Sequence, residues 1–167
     1  MSNFPETVAP DVLAAVGLDP REVLGASGLL VWPGGAVAGR KRDPGWRLAV
    51  LEAWDRQCAF CGYDGQFAGA SVGLEAAHVR WLAFSGPDSL DNGLALCSLH
   101  HTLSGLGMLG LDARLTVMVS ARFTLAGRAI YDLHGRELAP RPGTAVPALR
   151  HISWHTSQVF KGEPLNT

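Results

Sequence analysis

Three cysteines and one histidine in this chain have the types and spacing of a metal site. Cys58 and Cys61 form a Cys-x2-Cys pair, and Cys97 and His100 form a second pair further along the chain. A Cys-x2-Cys turn brings two thiolates close enough to share one tetrahedral ion, and positions i and i+3 of a helix share a face. The spacing predicts a structural zinc ion with all four residues as ligands and no coordination position open to water. The alternative is three buried thiols and a core histidine.

Three further residues, His78, Asn92 and His101, are candidates for a second site. His101 directly follows His100, so on a helix its side chain points about 100° away and can face a different ion. His78 ends the strand-like stretch LEAAHV, and Asn92 lies in a loop where its amide can bond backbone groups. Taken alone, each residue favours a structural interpretation. His78 would be a packed histidine at a strand end, Asn92 a turn residue, and His101 a surface residue on the helix that carries His100.

The hydrophobic pattern predicts the elements that position these residues. Gly45–Arg56, preceded by the helix-start pair Asp43-Pro44, is predicted to be an amphipathic helix that leads to Cys58. Strands are predicted at Gly73–Val79 and Leu94–Leu96, and a short helix near Ser98–Leu103. Between the strands, residues 85–93 are rich in glycine, proline, aspartate and asparagine, which is typical of a loop.

The remaining segments predict the flanking organisation. Leu115–Val119 and Ala129–Leu133 are predicted strands, and Ala148–Phe160 a terminal helix. Residues 1–40, with a possible helix after Asp11 and a strand at Leu29–Trp32, are too few for an independent domain. We therefore predict a lead-in segment at 1–40 and one domain at 41–167.

Composition sets the broad class of protein. The chain has 167 residues, 47% hydrophobic and 17% charged, which suits an ordinary globular core. It has no apolar run of the roughly 18 residues that a membrane span needs, and its start lacks a signal peptide pattern. An odd number of cysteines, two of them in a Cys-x2-Cys pair, fits a reducing compartment, so we expect a cytoplasmic protein without a membrane partner.

The charge balance gives a weaker indication about partners. The net charge is −1, which argues mildly against a nonspecific nucleic-acid binder. The basic residues are, however, 12 arginines and 2 lysines, and arginine is the better phosphate ligand. The DNA-contact candidates are the densest basic stretch, its neighbour and the residue after the LEAAHV segment: Arg40, Lys41, Arg42, Arg47 and Arg80. The alternatives are a solvated linker and a compositional bias toward arginine.

Four segments, CAFCG, LEAAHVRW, GPDSLDNGLALC and SLHH, together resemble the HNH nucleases. The resemblance is closest to the HNH domain of phosphorothioated-DNA-binding restriction endonucleases, and it extends upstream to FPETV and GRKRDPGWR and downstream to WHTSQVFKG. It implies an α+β fold with a ββα-metal (HNH) core, stapled by a structural zinc and flanked by helices and short strands.

The resemblance also implies an activity, which is hydrolysis of DNA phosphodiesters with one divalent metal such as Mg²⁺. His78 would be the general base, Asn92 would fix the loop and orient His78, and His101 would hold the metal. The relatives read the phosphorothioate with a separate upstream domain, for which residues 1–40 are too few. The expected partners are therefore DNA and a modification-reading domain, either upstream or on a separate chain.

Two positions depart from the family pattern. Many HNH sites have an acidic metal ligand directly before the general base, where this chain has Ala77. Relatives also have an acid four residues after the last histidine, where this chain has Gly105. Glu75 is a poor substitute because its strand parity opposes that of His78; the other acids considered are Asp88, Asp91 and Asp112. The alternative function is a zinc-stapled, catalytically impaired module that binds DNA or a partner protein.

Overall fold

A computed structural model describes residues 44–124, 129–138 and 143–166. Within these ranges the elements in chain order are helix α1 (Pro44–Ala53), strands β1 (Gln66–Phe67), β2 (Ala70–Ser71), β3 (Leu74–His78) and β4 (Gly93–Cys97), helix α2 (Ser98–Gly105), strands β5 (Leu109–Leu111) and β6 (Val117–Val119), and helix α3 (Leu149–Gln158). The predicted lead-in segment and the stretch Arg40, Lys41 and Arg42 lie outside the described residues. The boundary after residue 40 stays a prediction.

An antiparallel hairpin of β3 and β4 forms the centre of the described fold. Its register runs from Leu74 opposite Cys97 to His78 opposite Gly93. Two smaller hairpins, β1–β2 and β5–β6, are also antiparallel. Because side chains alternate between the faces of a strand, this register places His78 and Gly93 on one face of the central hairpin and Glu75 on the other.

Helix α1 packs against the face of the hairpin that carries His78. The indole of Trp54 donates a hydrogen bond to the Gly93 carbonyl at 3.2 Å. A Cβ atom at Gly93 would lie 2.5 Å from Val50 and 3.3 Å from Trp46, both on α1. Gly93 has an ordinary extended backbone. A glycine is therefore needed at this position because α1 approaches closely, and not because of a turn.

Helix α2 continues directly from β4 and lies on the opposite face, where His101 contacts Glu75. The core between these layers is aliphatic and aromatic. Its largest fully buried apolar side chains are Leu51, Leu74, Leu96, Leu109, Val50, Val117 and Val119. Burying each such side chain contributes roughly 1.5–3 kcal/mol, so the hairpin is fixed mainly by apolar contacts on both faces.

Most of the predicted elements that fall on described residues are confirmed, with shifted ends. The predicted strand at Ala129–Leu133 is wrong: residues 129–130 form a turn, and Tyr131–Leu133 is a 3-10 helix. Ile130 and Leu133 are both buried, and their spacing of three residues suits one side of a helical turn. Hairpin β1–β2 and strand β5 were not predicted, because each of these strands has only two or three residues and is too short for a periodic pattern.

No helix among the described residues is both long enough and apolar enough to cross a membrane.

Helix α3 contributes a buried histidine to the core. His155 is 5% exposed, and its Nε2 lies 3.1 Å from the carbonyl oxygen of Ser104 at the end of α2. Burial lowers the pKa of His155 to about 4, although the Ser104 carbonyl acts in the opposite direction. His155 is therefore neutral in the folded protein at pH values where a histidine of the unfolded chain is protonated.

This difference predicts a loss of stability on mild acidification. Between pH 6.5 and 4 the unfolded chain binds a proton at His155 that the folded chain does not, so the free energy of unfolding falls as the pH falls. The contribution of His155 is about 2 kcal/mol between pH 7 and pH 5. Urea unfolding of the wild type and of His155→Gln at both pH values measures it. Equal pH dependence in the two proteins would contradict the assignment.

Candidate functional site

The predicted metal ligands come together in one cluster. The ligand atoms of Cys58, Cys61, Cys97 and His100 all lie within 4.8 Å of one another. The Sγ atoms of Cys58 and Cys97 are each 3.4 Å from Nδ1 of His100. In a tetrahedral zinc site with ordinary bond lengths, sulfur and nitrogen ligands lie about 3.6 Å apart. The donor set and its dimensions therefore fit a single tetrahedral ion such as zinc.

Local backbone structure explains why these residues meet. Cys58 and Cys61 lie in a tight turn in which the Gly62 N–H donates to the Cys58 carbonyl, and Gly62 has a φ of 76° that favours glycine. The Ala59 N–H donates to the Ala95 carbonyl at 2.8 Å, which fixes this turn to β4. Cys97 is the last residue of β4, and His100 lies in the first turn of α2.

The three thiols differ in acidity. Burial acts to raise the pKa of Cys58, but hydrogen bonds from His100 and from nearby backbone N–H groups outweigh it and lower the pKa to about 6. Burial raises the pKa of Cys61 to about 12 and also raises that of Cys97. One thiolate is thus favoured at neutral pH, and binding of a divalent cation must displace the protons of the other two thiols.

We expect the His100→Ala variant to lose a tightly bound metal ion and to become less stable by several kcal/mol, because comparable sites supply roughly 10–16 kcal/mol of binding free energy. The neighbouring variant His101→Ala is the matched control and should keep that ion, since His101 is not in the cluster. Elemental analysis of both purified variants, followed by urea unfolding, measures the difference. Retention of a stoichiometric ion by His100→Ala would contradict the assignment.

His78 is held between an aromatic ring and a carboxylate. Its imidazole stacks on the indole of Trp46, with ring centroids 3.8 Å apart and planes 15° from parallel. Its Nε2 lies 2.8 Å from Oδ1 of Asp88, which belongs to the loop between β3 and β4. The side chain is only 5% exposed. The ring is therefore fixed in orientation, and only a small molecule can approach it.

Asn92 is fully buried and organises the loop that carries Asp88. Its Oδ1 accepts from the Arg80 N–H at 2.8 Å, and its Nδ2 donates to the carbonyls of Arg80 and Pro87, each at 3.0 Å. Its own carbonyl accepts from the Val79 N–H at 3.0 Å. These bonds close the ends of the 80–87 loop, which begins two residues after His78 and ends directly before Asp88.

The Asn92→Ala variant should be destabilised by about 2 kcal/mol, because it leaves partly buried backbone groups of Arg80 and Pro87 without their partners. Asn92→Asp should be at least as damaging, since a carboxylate cannot donate to the two carbonyls. Urea unfolding at neutral pH measures both variants. A cost below about 0.5 kcal/mol in both would show that the amide does not fix the loop.

His101 contacts Glu75, the acid that strand parity had made a poor candidate for the site. Its Nδ1 lies 2.6 Å from Oε2 of Glu75, and both side chains are 30% exposed. Glu75 does have the opposite strand parity to His78, as expected, but His101 is also on that opposite face. Ala77, on the same face as Glu75, is buried and offers no ligand.

The structure joins His78 to Asn92 more closely than to His101. His78 and Asn92 lie together at the loop end of the hairpin, whereas His101 is beside Glu75, about 10 Å along β3 from His78 by the strand rise. Of the other acids considered, Asp88 contacts His78, while Asp91 pairs with Ser89 and Arg150 and Asp112 with Arg114. Among the described contacts, none of these three acids meets His101.

The two described DNA-contact candidates each make a structural contact. The Arg47 guanidinium donates to the Leu74 carbonyl at 3.1 Å. The Arg80 side chain donates to the Phe84 carbonyl at 2.9 Å, and its guanidinium lies 5.9 Å from the ring centroid of Trp154. These contacts hold both side chains in place, and contact with DNA stays a prediction for them.

Sequence reasoning missed the residues that surround the two histidines. Trp46 and Asp88 are distant from His78 in the chain, and only the packing of α1 and the fold of the loop bring them to its ring. The signal for Glu75 was present in the LEAAH segment. Strand parity places Glu75 on the face opposite to His78, but the face that matters for Glu75 is the one covered by the helix that carries His101.

The family comparison agrees with this geometry. Residues 58–112 match the family described as HNH endonuclease, a range that contains both metal-ligand pairs, the central hairpin and α2. Over that range, which is about a third of the chain, the sequence is similar to the HNH endonuclease family.

A solved structure, the "Modification dependent TagI restriction endonuclease", is similar to this chain with a TM-score of 0.58 and 26% sequence identity. The similarity covers 75% of this chain and 41% of that one, so this chain spans less than half the length of that enzyme. No curated protein matches the chain by sequence. Together the family and the structural neighbour support a nuclease function close to the restriction enzymes.

Proposed function

We propose that this chain is the nuclease part of a restriction system and hydrolyses DNA phosphodiester bonds with one divalent metal. His78 is the general base, Asn92 holds the loop that orients it, and His101 holds the catalytic metal. The cluster of Cys58, Cys61, Cys97 and His100 holds a structural zinc ion. The observation that carries the proposal is the placement of His78 between Trp46 and Asp88, next to the loop that Asn92 closes.

The surroundings of His78 suit a base that removes a proton from water. When Nε2 donates to the Asp88 carboxylate, the lone pair of the ring is on Nδ1, where a proton can be accepted. The Asp88 carboxylate then stabilises the imidazolium that forms, and the Trp46 face does so as well. A side chain 5% exposed admits a water molecule more readily than a larger nucleophile. A general base of this kind contributes roughly 10²–10⁴ to a rate.

His101 is the protein ligand that we assign to the catalytic metal. It is partly exposed on α2, close to the strand that carries His78, and imidazole is a suitable ligand for divalent transition metals. When bound, the metal supplies neutralisation of the charge that develops on the phosphate and the leaving oxygen. The zinc cluster uses all four of its donors internally and leaves no open position for this role.

For the substrate we propose modified DNA, with phosphorothioated DNA as the first candidate. The support is the sequence resemblance to phosphorothioated-DNA-binding restriction endonucleases and the likeness to a modification-dependent enzyme. Since this chain spans less than half the length of that enzyme, we propose that a reader domain, upstream or on a separate chain, recognises the modification. The basic residues Arg40, Lys41 and Arg42, with Arg47 and Arg80, are the proposed phosphate contacts. A cytoplasmic location is part of the same proposal.

A second candidate function is a DNA-binding module that does not cut, and one observation favours it. Gly105 stands where relatives have an acidic ligand, and a Cβ atom there would meet nothing within 4 Å. The position is therefore open but provides no donor for a metal. This candidate predicts that DNA is retained without strand scission under any ion.

A plasmid nicking assay tests the proposal. We expect nicking with Mg²⁺, Mn²⁺ or Ni²⁺, and a loss of about 10²–10⁴ in rate for His78→Ala. The matched control is His134→Ala. It removes a half-buried histidine that accepts a hydrogen bond from the Val119 N–H of β6 and lies outside the β3–β4 hairpin.

The assay is run on phosphorothioated and unmodified plasmid, with fold and bound metal checked for each variant. Equal nicking by the wild type and His78→Ala would remove His78 from the mechanism. Retention of DNA without nicking under all three ions would favour the non-cutting module.

A further inference from the structure

Glu75 holds His101 from one side and is itself held by the start of α2. Its Oε2 lies 2.6 Å from Nδ1 of His101, and its Oε1 accepts a hydrogen bond from the Ser98 hydroxyl at 2.8 Å. Ser98 is the first residue of α2, and its N–H donates to the Gly73 carbonyl at 3.0 Å. Both oxygens of the Glu75 carboxylate thus contact α2. Glu75 lies on β3, which is held in place by its pairing with β4.

The chemistry of this contact determines the tautomer of His101. An ionised carboxylate can only accept hydrogen bonds, so Nδ1 of the imidazole must carry the proton. The lone pair of the neutral ring is then on Nε2. Histidines that bind metals commonly donate their other ring N–H to a carboxylate, which fixes the ring and raises its basicity as a ligand.

The contact between Glu75 and Nδ1 of His101 is a direct hydrogen bond. Two ligands of one octahedral Mg²⁺-type ion, with bond lengths of about 2.1 Å, lie about 3 Å apart, and a separation of 2.6 Å is a direct hydrogen bond. The sequence resemblance to HNH nucleases implies an acidic ligand one helical turn after the histidine, at the position of Gly105. Glu75 therefore differs from that acid both in its origin, on β3, and in its action, which passes through His101.

We infer that Glu75 is a positioning residue that fixes His101 with Nε2 as the atom that binds the catalytic metal, with Ser98 holding the second carboxylate oxygen. The inference rests on the proposed function, which assigns that metal to His101. On this inference the protein contributes one metal ligand, His101, supported by Glu75 from β3. It does not contribute two ligands from α2.

The first test is the affinity of the protein for Mn²⁺ when its cysteine cluster is filled with zinc, measured by electron paramagnetic resonance and calorimetry without DNA. Glu75→Gln should bind Mn²⁺ about 10–100-fold more weakly than the wild type. Ser98→Ala should cause a smaller loss. The control Glu52→Gln removes a carboxylate of α1 that pairs with Arg56 and should leave the affinity unchanged.

The second test is the tautomer of His101 in the wild type, measured by ¹⁵N-detected nuclear magnetic resonance at pH 8. We expect the proton on Nδ1, and a proton on Nε2 would overturn the inference even if Glu75→Gln fails to fold. Wild-type affinity in a folded Glu75→Gln variant would also overturn it. His101→Ala separates the two levels: if it leaves Mn²⁺ binding unchanged, the metal assignment in the proposed function fails. If it abolishes binding while Glu75→Gln does not, only the role of Glu75 fails.

Discussion

The register of the β3–β4 hairpin determines which helix His78 and Glu75 each face. With His78 opposite Gly93 and Leu74 opposite Cys97, His78 faces α1 and Glu75 faces α2. A slip of one residue would exchange the two faces and remove both the Trp46 stack and the His101 contact. The register is fixed by buried apolar side chains on both faces, by the cluster of three cysteines and His100 at the Cys97 end, and by the Asn92 amide at the His78 end.

The two faces of the hairpin separate two kinds of chemistry. On the α1 side, Trp46 and Asp88 hold a nearly buried imidazole that suits proton transfer. On the α2 side, Glu75 holds a partly exposed imidazole that suits metal binding. The cysteine cluster joins β4 to α2 and so keeps the second side in place relative to the first. The proposed structural and catalytic ions can therefore be bound by neighbouring residues, His100 and His101, because successive helical side chains diverge.

The sequence was informative where the chemistry depends on short spacing. The Cys-x2-Cys and Cys-x2-His pairs predicted the cluster, and strand and helix patterns predicted the central hairpin and α2. Contacts between distant segments were not predictable in this way, because nothing near His78 in the chain indicates Trp46 or Asp88. The strand predicted at Ala129–Leu133 failed for a related reason: two buried residues three apart can suit a 3-10 turn as well as a short apolar strand. For Glu75 the parity rule was correct, but the face that mattered was that of His101.

Gly93 has a consequence for how the chain can vary. A side chain at this position would collide with Val50 and press on Trp46, so residues on α1 and β4 that are far apart in sequence share one limited volume. Substitutions at the three positions should be non-additive, with a larger residue at 93 tolerated only when α1 carries a smaller one. Because the Trp46 indole also stacks on His78, an exchange that moves this indole should also disturb the His78 ring. The absence of a side chain at Gly93 thus links the residues that α1 can carry to the position of the His78 ring that α1 covers.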